Sequence, residues 1–129
     1  MLLTRKELFY AAVIMNLRQL VNIVYEFPAD ETKFEQELNE AKNSLRKKRL
    51  LTESISEGTG LDFALIACLA FCSTPEKCEP IDFNNYHAAI YTVASAFMLI
   101  EQRSSEDLAV AWFEKREILD RYIASKESE

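Results

Sequence analysis

The sequence predicts an α+β fold: a helical N-terminal part of winged-helix-like order, then a small antiparallel β-meander and a C-terminal helix. Three observations predict it. Apolar residues recur at helical spacing over about residues 1–80, alternate by two from about residue 84, and return to a helical stripe near the end. The 129 residues suit a single domain, residues 1–129, with the strand-rich part over about 84–125. Apolar residues make up 49% and charged residues 28%, a globular composition and not a disordered one. Only 2 Gly and 3 Pro occur, which predicts long elements and short connections.

Thr4 is a good N-cap, and Glu7 stands at the capping-box position behind it. Leu8, Ala11, Ala12, Met15, Gln19 and Leu20 then follow helical spacing, with Tyr10, Ile14, Leu17 and Val21 opposite. A helix apolar almost all round is a central one. Pro28 ends it by pushing Phe27 out of the helical region. Asp30 or Thr32 caps a second long helix, whose buried stripe is Phe34, Leu38, Ala41 and Leu45. Its other face carries Glu35, Glu37, Glu40, Lys42 and Asn43. A short extended piece with Thr52 and Ile55 alternating leads to a glycine turn at Gly58 and Gly60. A third helix is expected over Leu61–Cys72, and Ser73–Phe83 reads as a connector.

The period then changes to two. Ile90 and Thr92 oppose Tyr91 and Val93; Phe97, Leu99 and Glu101 oppose Met98, Ile100 and Gln102; Leu108, Val110 and Trp112 oppose Ala109, Ala111 and Phe113. A helix over Ala88–Glu101 is the alternative, since Ala, Met and Leu are helix formers. Leu99 and Val110 are expected on one face of the hairpin, Ile100 and Ala111 on the other. The last helix, roughly Lys115–Ser125, shows Ile118, Leu119, Tyr122 and Ile123 on one side. So much apolar surface on few strands leaves one face to be covered by the last helix or by a partner. The expected partner surface is Tyr91, Val93, Phe97, Leu99, Leu108, Val110 and Trp112. The sheet edge there makes a homodimer plausible as well.

The tract Ser44–Leu51, "SLRKKRLL", could be a phosphate-binding patch. The reading preferred is the last turn of a helix, where the macrodipole favours cations. A net charge of -6 argues against nucleic acid and against an anionic membrane surface. Nothing at "MLLTRKELF" resembles a secretory signal, and no apolar run is long enough to span a bilayer. A cytoplasmic protein without membrane insertion is expected. Cys68, Cys72 and Cys78 with His87 could form a zinc set, but no C-x-x-C pair is present, so core cysteines and no cofactor are expected. His87 stands alone, without a nucleophile motif or a glycine-rich phosphate loop, so no catalytic residue and no enzyme is expected.

The opening "LTRKELFYAAVIM", the middle "AKNSLRKKRLLTESISEGTGLDFALIACLAFCSTPEKCEP" and the closing "AAIYTVASAFMLIEQRSSEDLAVAWFEKREILDRYI" together resemble the substrate-specific chaperones of type VII (ESX-type) secretion systems. The resemblance is to the EspG/EsaE-like group, and more closely to its short Firmicutes members. It implies a cytosolic chaperone or adaptor that binds a secreted toxin or small helical substrate, masks its apolar surface before export, and has no catalytic site. Actinobacterial members are longer and built of two similar halves, of which this chain would supply one. The alternatives are a winged-helix DNA-binding regulator, with the second long helix in the reading position, or a structural subunit of a larger complex.

Overall fold

The computed structural model describes residues 1–52 and 60–127. Its elements are β1 (Leu2–Thr4), α1 (Arg5–Ile14), α2 (Glu31–Lys47), α3 (Phe63–Ser73), β2 (Lys77–Asp82), β3 (His87–Val93), β4 (Ala96–Gln102), β5 (Asp107–Phe113) and α4 (Arg116–Glu127). The class is α+β: after the short β1, helices come first, the other strands follow, and a helix closes the described chain. Ala88–Glu101 is two strands and the turn between them, not a helix.

The local signals explain most boundaries. The Thr4 side chain accepts from the Glu7 N–H at 3.1 Å, and a Glu7 carboxylate oxygen accepts from the Thr4 N–H at 2.8 Å. This capping box satisfies two donors that the first turn would leave open. At the other end α1 stops at Ile14, well short of the break expected at Pro28. Asn16 takes a left-handed φ of 57°. The Leu17 N–H then bonds back to Ala12 O at 2.8 Å and the Asn16 N–H to Val13 O at 3.0 Å. That is a Schellman stop, in which Asn tolerates the conformation glycine usually supplies. Helix α2 starts at Asp30, whose Oδ1 accepts from the Lys33 N–H at 3.0 Å. It stops in the same way, with Arg49 at φ 62° and the Leu50 N–H on Leu45 O at 2.9 Å. The intervening segment is seated by a chain of rings from Phe9 through Tyr25 and Phe27 to Phe34, with centroids 5.8, 5.0 and 5.1 Å apart.

The strands form one five-stranded antiparallel sheet in the order β1-β5-β4-β3-β2. Both outer strands depart from the sequence expectation. β1 lies just ahead of the helix that Thr4 caps, inside the part expected to be helical. β2 occupies part of the expected connector, so the strand-rich part starts at Lys77 and not near residue 84. Pro80 is tolerated within β2 because an edge strand accepts a residue with no N–H.

The sheet has two apolar faces, each covered. Ala89, Tyr91, Met98, Ile100, Leu108 and Val110 share a core with Leu3, with Leu8 and Ala12 of α1, and with Leu65, Cys68, Leu69 and Cys72 of α3. Ala88, Ile90 and Leu99 pack with Leu119 of α4, flanked by Phe97, Phe113, Tyr122 and Ile123. Helix α2 lies on α1 through Ala41 and Leu45.

The expected extended piece and glycine turn fall partly outside the described residues, which include Thr52 and Gly60 but not Ile55 or Gly58. The flanks meet: Leu51 bridges Leu61, and the Thr52 N–H bonds to Gly60 O at 2.8 Å. Gly60 has φ +78°, and a Cβ there would stand 2.3 Å from Thr52 O. Gly60→Ala should therefore cost about 2 kcal/mol or more, from left-handed strain and backbone collision. Thermal unfolding should show the loss, and an unchanged midpoint would contradict the closure described.

Candidate partner-binding site

The basic tract resolves first. Lys48 caps α2, and its Nζ turns inward to Glu7 Oε1 at 2.6 Å. Glu7 is only 1% exposed. The other carboxylate oxygen of Glu7 accepts from Ser44 Oγ at 2.7 Å. Lys48 also donates to Leu2 O at 3.3 Å. The tract thus supplies a cation that ties α2 to β1 and α1. Glu37 and Glu40 lean the same way, Glu40 reaching Lys6 at 3.0 Å and Glu37 accepting from the Tyr25 hydroxyl at 2.7 Å.

The residues expected to form a partner surface do not share one face. Tyr91 lies opposite Met98, Met98 opposite Trp112, and Ile100 opposite Val110. Tyr91, Leu108, Val110 and Trp112 therefore point toward α1 and α3, and Val93 joins them by alternation. Phe97 and Leu99 point toward α4. The expected pairing of Leu99 with Val110 is thus corrected: Leu99 shares its face with Ala111, and Ile100 shares its own with Val110. A one-residue difference in register moves every side chain across the sheet. Tyr91, Leu99, Leu108 and Val110 are buried, and Val93 and Phe97 half-buried. Trp112, 36% exposed, is the residue of this set that opens most to solvent.

Beside Trp112 lies the outer face of α3. Helix α3 starts from Asp62, whose Oδ2 accepts from the Ala64 N–H at 2.9 Å. From Phe63 to Cys72 it has no polar side chain other than the thiols. Its inner face buries Leu65, Cys68, Leu69 and Cys72, so the outer one is apolar by default. Phe63 stands 82% exposed in its first turn. Phe63, Ala64, Ala67 and Phe71 with Trp112 line a cleft of about 290 Å³ whose walls present apolar surface alone. Phe63 was not singled out from the sequence, although the signal was present: a helix with no polar side lying on a single sheet must show one apolar side outward.

The cysteines sit in the core. Cys68 and Cys72 are fully buried, and Cys78 is half-buried on β2. The bond to Cys68, then burial, push the Cys72 thiol up, away from the reactive thiolate. The Tyr91 hydroxyl close by donates to Val21 O at 2.6 Å, and burial raises its pKa too. His87 pairs with Asp82 in an exposed position. Among the described residues no group of three or more His, Cys, Asp or Glu stands together to hold a metal ion. No helix of the described residues is long and apolar enough to cross a membrane.

On the far face Glu101 is 3% exposed. It accepts from the hydroxyls of Tyr86 at 2.7 Å and Tyr122 at 2.6 Å. Burial and this bond push Tyr86 up to about 12. At the start of α4, Arg116 donates to Glu79 at 2.7 Å and lies over the Phe97 ring, 5.7 Å from its centroid. The cover on this face is therefore pinned by polar bonds at both ends.

No protein-family model matches the chain, and no curated protein matches it.

Burial raises the Glu7 pKa, but the bonds from Lys48, Ser44 and the Thr4 N–H outweigh it and hold the carboxyl below the usual 4.5. A carboxyl depressed by folding stabilises above its unfolded pKa and loses that contribution as pH falls through the folded value. Glu7→Gln should thus weaken the protein at neutral pH and flatten its stability profile below about pH 4.5. Lys48→Met should cost about 1–2 kcal/mol at neutral pH, below the roughly 3–5 kcal/mol of a fully buried broken pair, because the lysine side chain is 37% exposed. Urea unfolding at several pH values measures both, and a Glu7→Gln profile parallel to that of the unaltered chain would contradict the assignment.

Proposed function

We propose that this chain is a protein-binding module: a cytoplasmic chaperone or adaptor that holds a secreted toxin or small helical substrate and masks its apolar surface before export. The observation that carries it is the exposed apolar face of α3, with Phe63 82% exposed beside Trp112. A contiguous apolar surface on an otherwise charged protein marks a place where another surface docks. The proposed role is that of the type VII secretion chaperones the sequence resembles, and it needs no catalytic group or cofactor. The DNA-regulator alternative is disfavoured because Lys48 is engaged with Glu7, and because Glu35 and Glu40 stand exposed on α2, where they would repel phosphate.

The test is capture. The tagged chain, purified from its native cell after cross-linking, should carry a protein that the cell exports, in stoichiometric amount. Sequence-selective duplex binding at physiological salt in an anisotropy titration, with no exported protein captured, would replace this function with that of a regulator.

A further inference from the structure

We infer that the Phe63–Trp112 cleft is an anchor pocket for one or two large apolar side chains, presented by an amphipathic helix whose flanks are basic. The inference rests on the binding-module function above and names the chemistry of its partner. A second copy of the chain is a poor occupant on grounds of area. A stable dimer buries roughly 800 Å² on each partner. A fully buried aromatic contributes about 150–250 Å², and the patch offers only Phe63 at 82% and Trp112 at 36% exposure beyond half-buried walls. The volume agrees: about 290 Å³ is at the lower end for a small-molecule site and suits a side chain or two.

A helix fits better than an extended segment. Ala64 and Ala67 keep the outer surface of α3 low, which lets a second helix axis approach to roughly 8–10 Å. The 11 residues of α3 give three turns of contact. Charge sets the rest. No charged residue lies between Phe63 and Ser73, so an ionised group on the partner's contact face would be buried unpaired. In sequence the exposed Asp62 precedes Phe63 and the exposed Glu114 follows Trp112 by two residues; of the two cations that come next, Lys115 and Arg116, Arg116 is engaged with Glu79 and Asp120. A chain of net charge -6 with those carboxylates favours lysine or arginine outside the apolar stripe.

The chain carries one tryptophan, Trp112, and it lines the cleft, so its emission reports occupancy directly. The probe is a capped synthetic helix of about 14 residues, long enough for the turns needed, with Leu and Phe at i, i+4, Lys elsewhere and no Trp. Titration into the intact chain should give a saturable blue shift. Phe63→Asp and Ala67→Glu should each weaken binding about tenfold or more, the loss expected of an anchor. Both positions face outward, and unchanged thermal midpoints would show that folding is intact. Ile118→Asp, at an exposed position on α4, should bind as the unaltered chain does. No shift, or a shift equally strong in Phe63→Asp, would overturn the pocket. So would a dimer in solution that Phe63→Asp dissociates, since a second copy would then be the occupant. The two levels separate. Capture of an exported client by Phe63→Asp, undiminished, would sink the pocket and leave the function. Peptide binding without any exported client would sink the function and leave the pocket.

Discussion

A sheet with two apolar faces has to be covered twice, and the rest of this molecule follows from that constraint. α1 and α3 take the face that carries Tyr91, Ile100 and Val110; α4 takes the face that carries Ile90 and Leu99. Once both are taken, the strands have little surface to offer a partner. What remains outward is the back of α3, which is apolar because its sequence contains nothing else. The proposed binding surface therefore lies on the helix that covers the sheet and not on the sheet itself, and Trp112 is where the two meet.

Two buried carboxylates fix where the covering helices sit. Glu7 closes the capping box of α1 and receives Ser44 and Lys48 from α2, so one placement of the two helices satisfies all its bonds. Glu101 does the equivalent on the other face, taking the Tyr122 hydroxyl from α4 and the Tyr86 hydroxyl from the turn before β3. Burying either charge costs several kcal/mol before its partners offset it. The net stabilisation is modest. The larger consequence is positional, because a shifted helix would leave the carboxylate without its donors.

What could be read from sequence was local. Thr4 and Glu7 announced the start of α1, Asp30 announced α2, and alternation over residues 88–113 announced three of the five strands. What could not be read depended on contacts between distant residues. The cations of Arg46–Arg49 were sufficiently explained by the helix dipole, which hid the bond from Lys48 to a carboxylate 41 positions away. Lys77–Asp82 was read as part of a connector, since its strand pairing with β3 joins residues that local periodicity does not link. Asn16 was a visible stop signal, outweighed by the apolar period running through it. The stripe Ile118–Ile123 was legible as a helix face, but only the register shows that Leu119 is the side chain driven to the core while Ile118 stays 49% exposed. Trp112 was expected in a partner surface of the strands, but its neighbours in the cleft come from α3.

The most direct test of the doubly covered sheet is a pair of charge insertions read by cooperative unfolding. Ile100→Asp places a charge under α1 and α3, and Leu99→Asp places one under α4; both positions are at most 1% exposed. Followed by circular dichroism in urea, each variant should lose several kcal/mol, the cost of an unpaired buried charge. A Leu99→Asp protein that unfolds at the same urea concentration as the unaltered chain would mean that α4 does not cover its face. The partner site would then belong on the sheet.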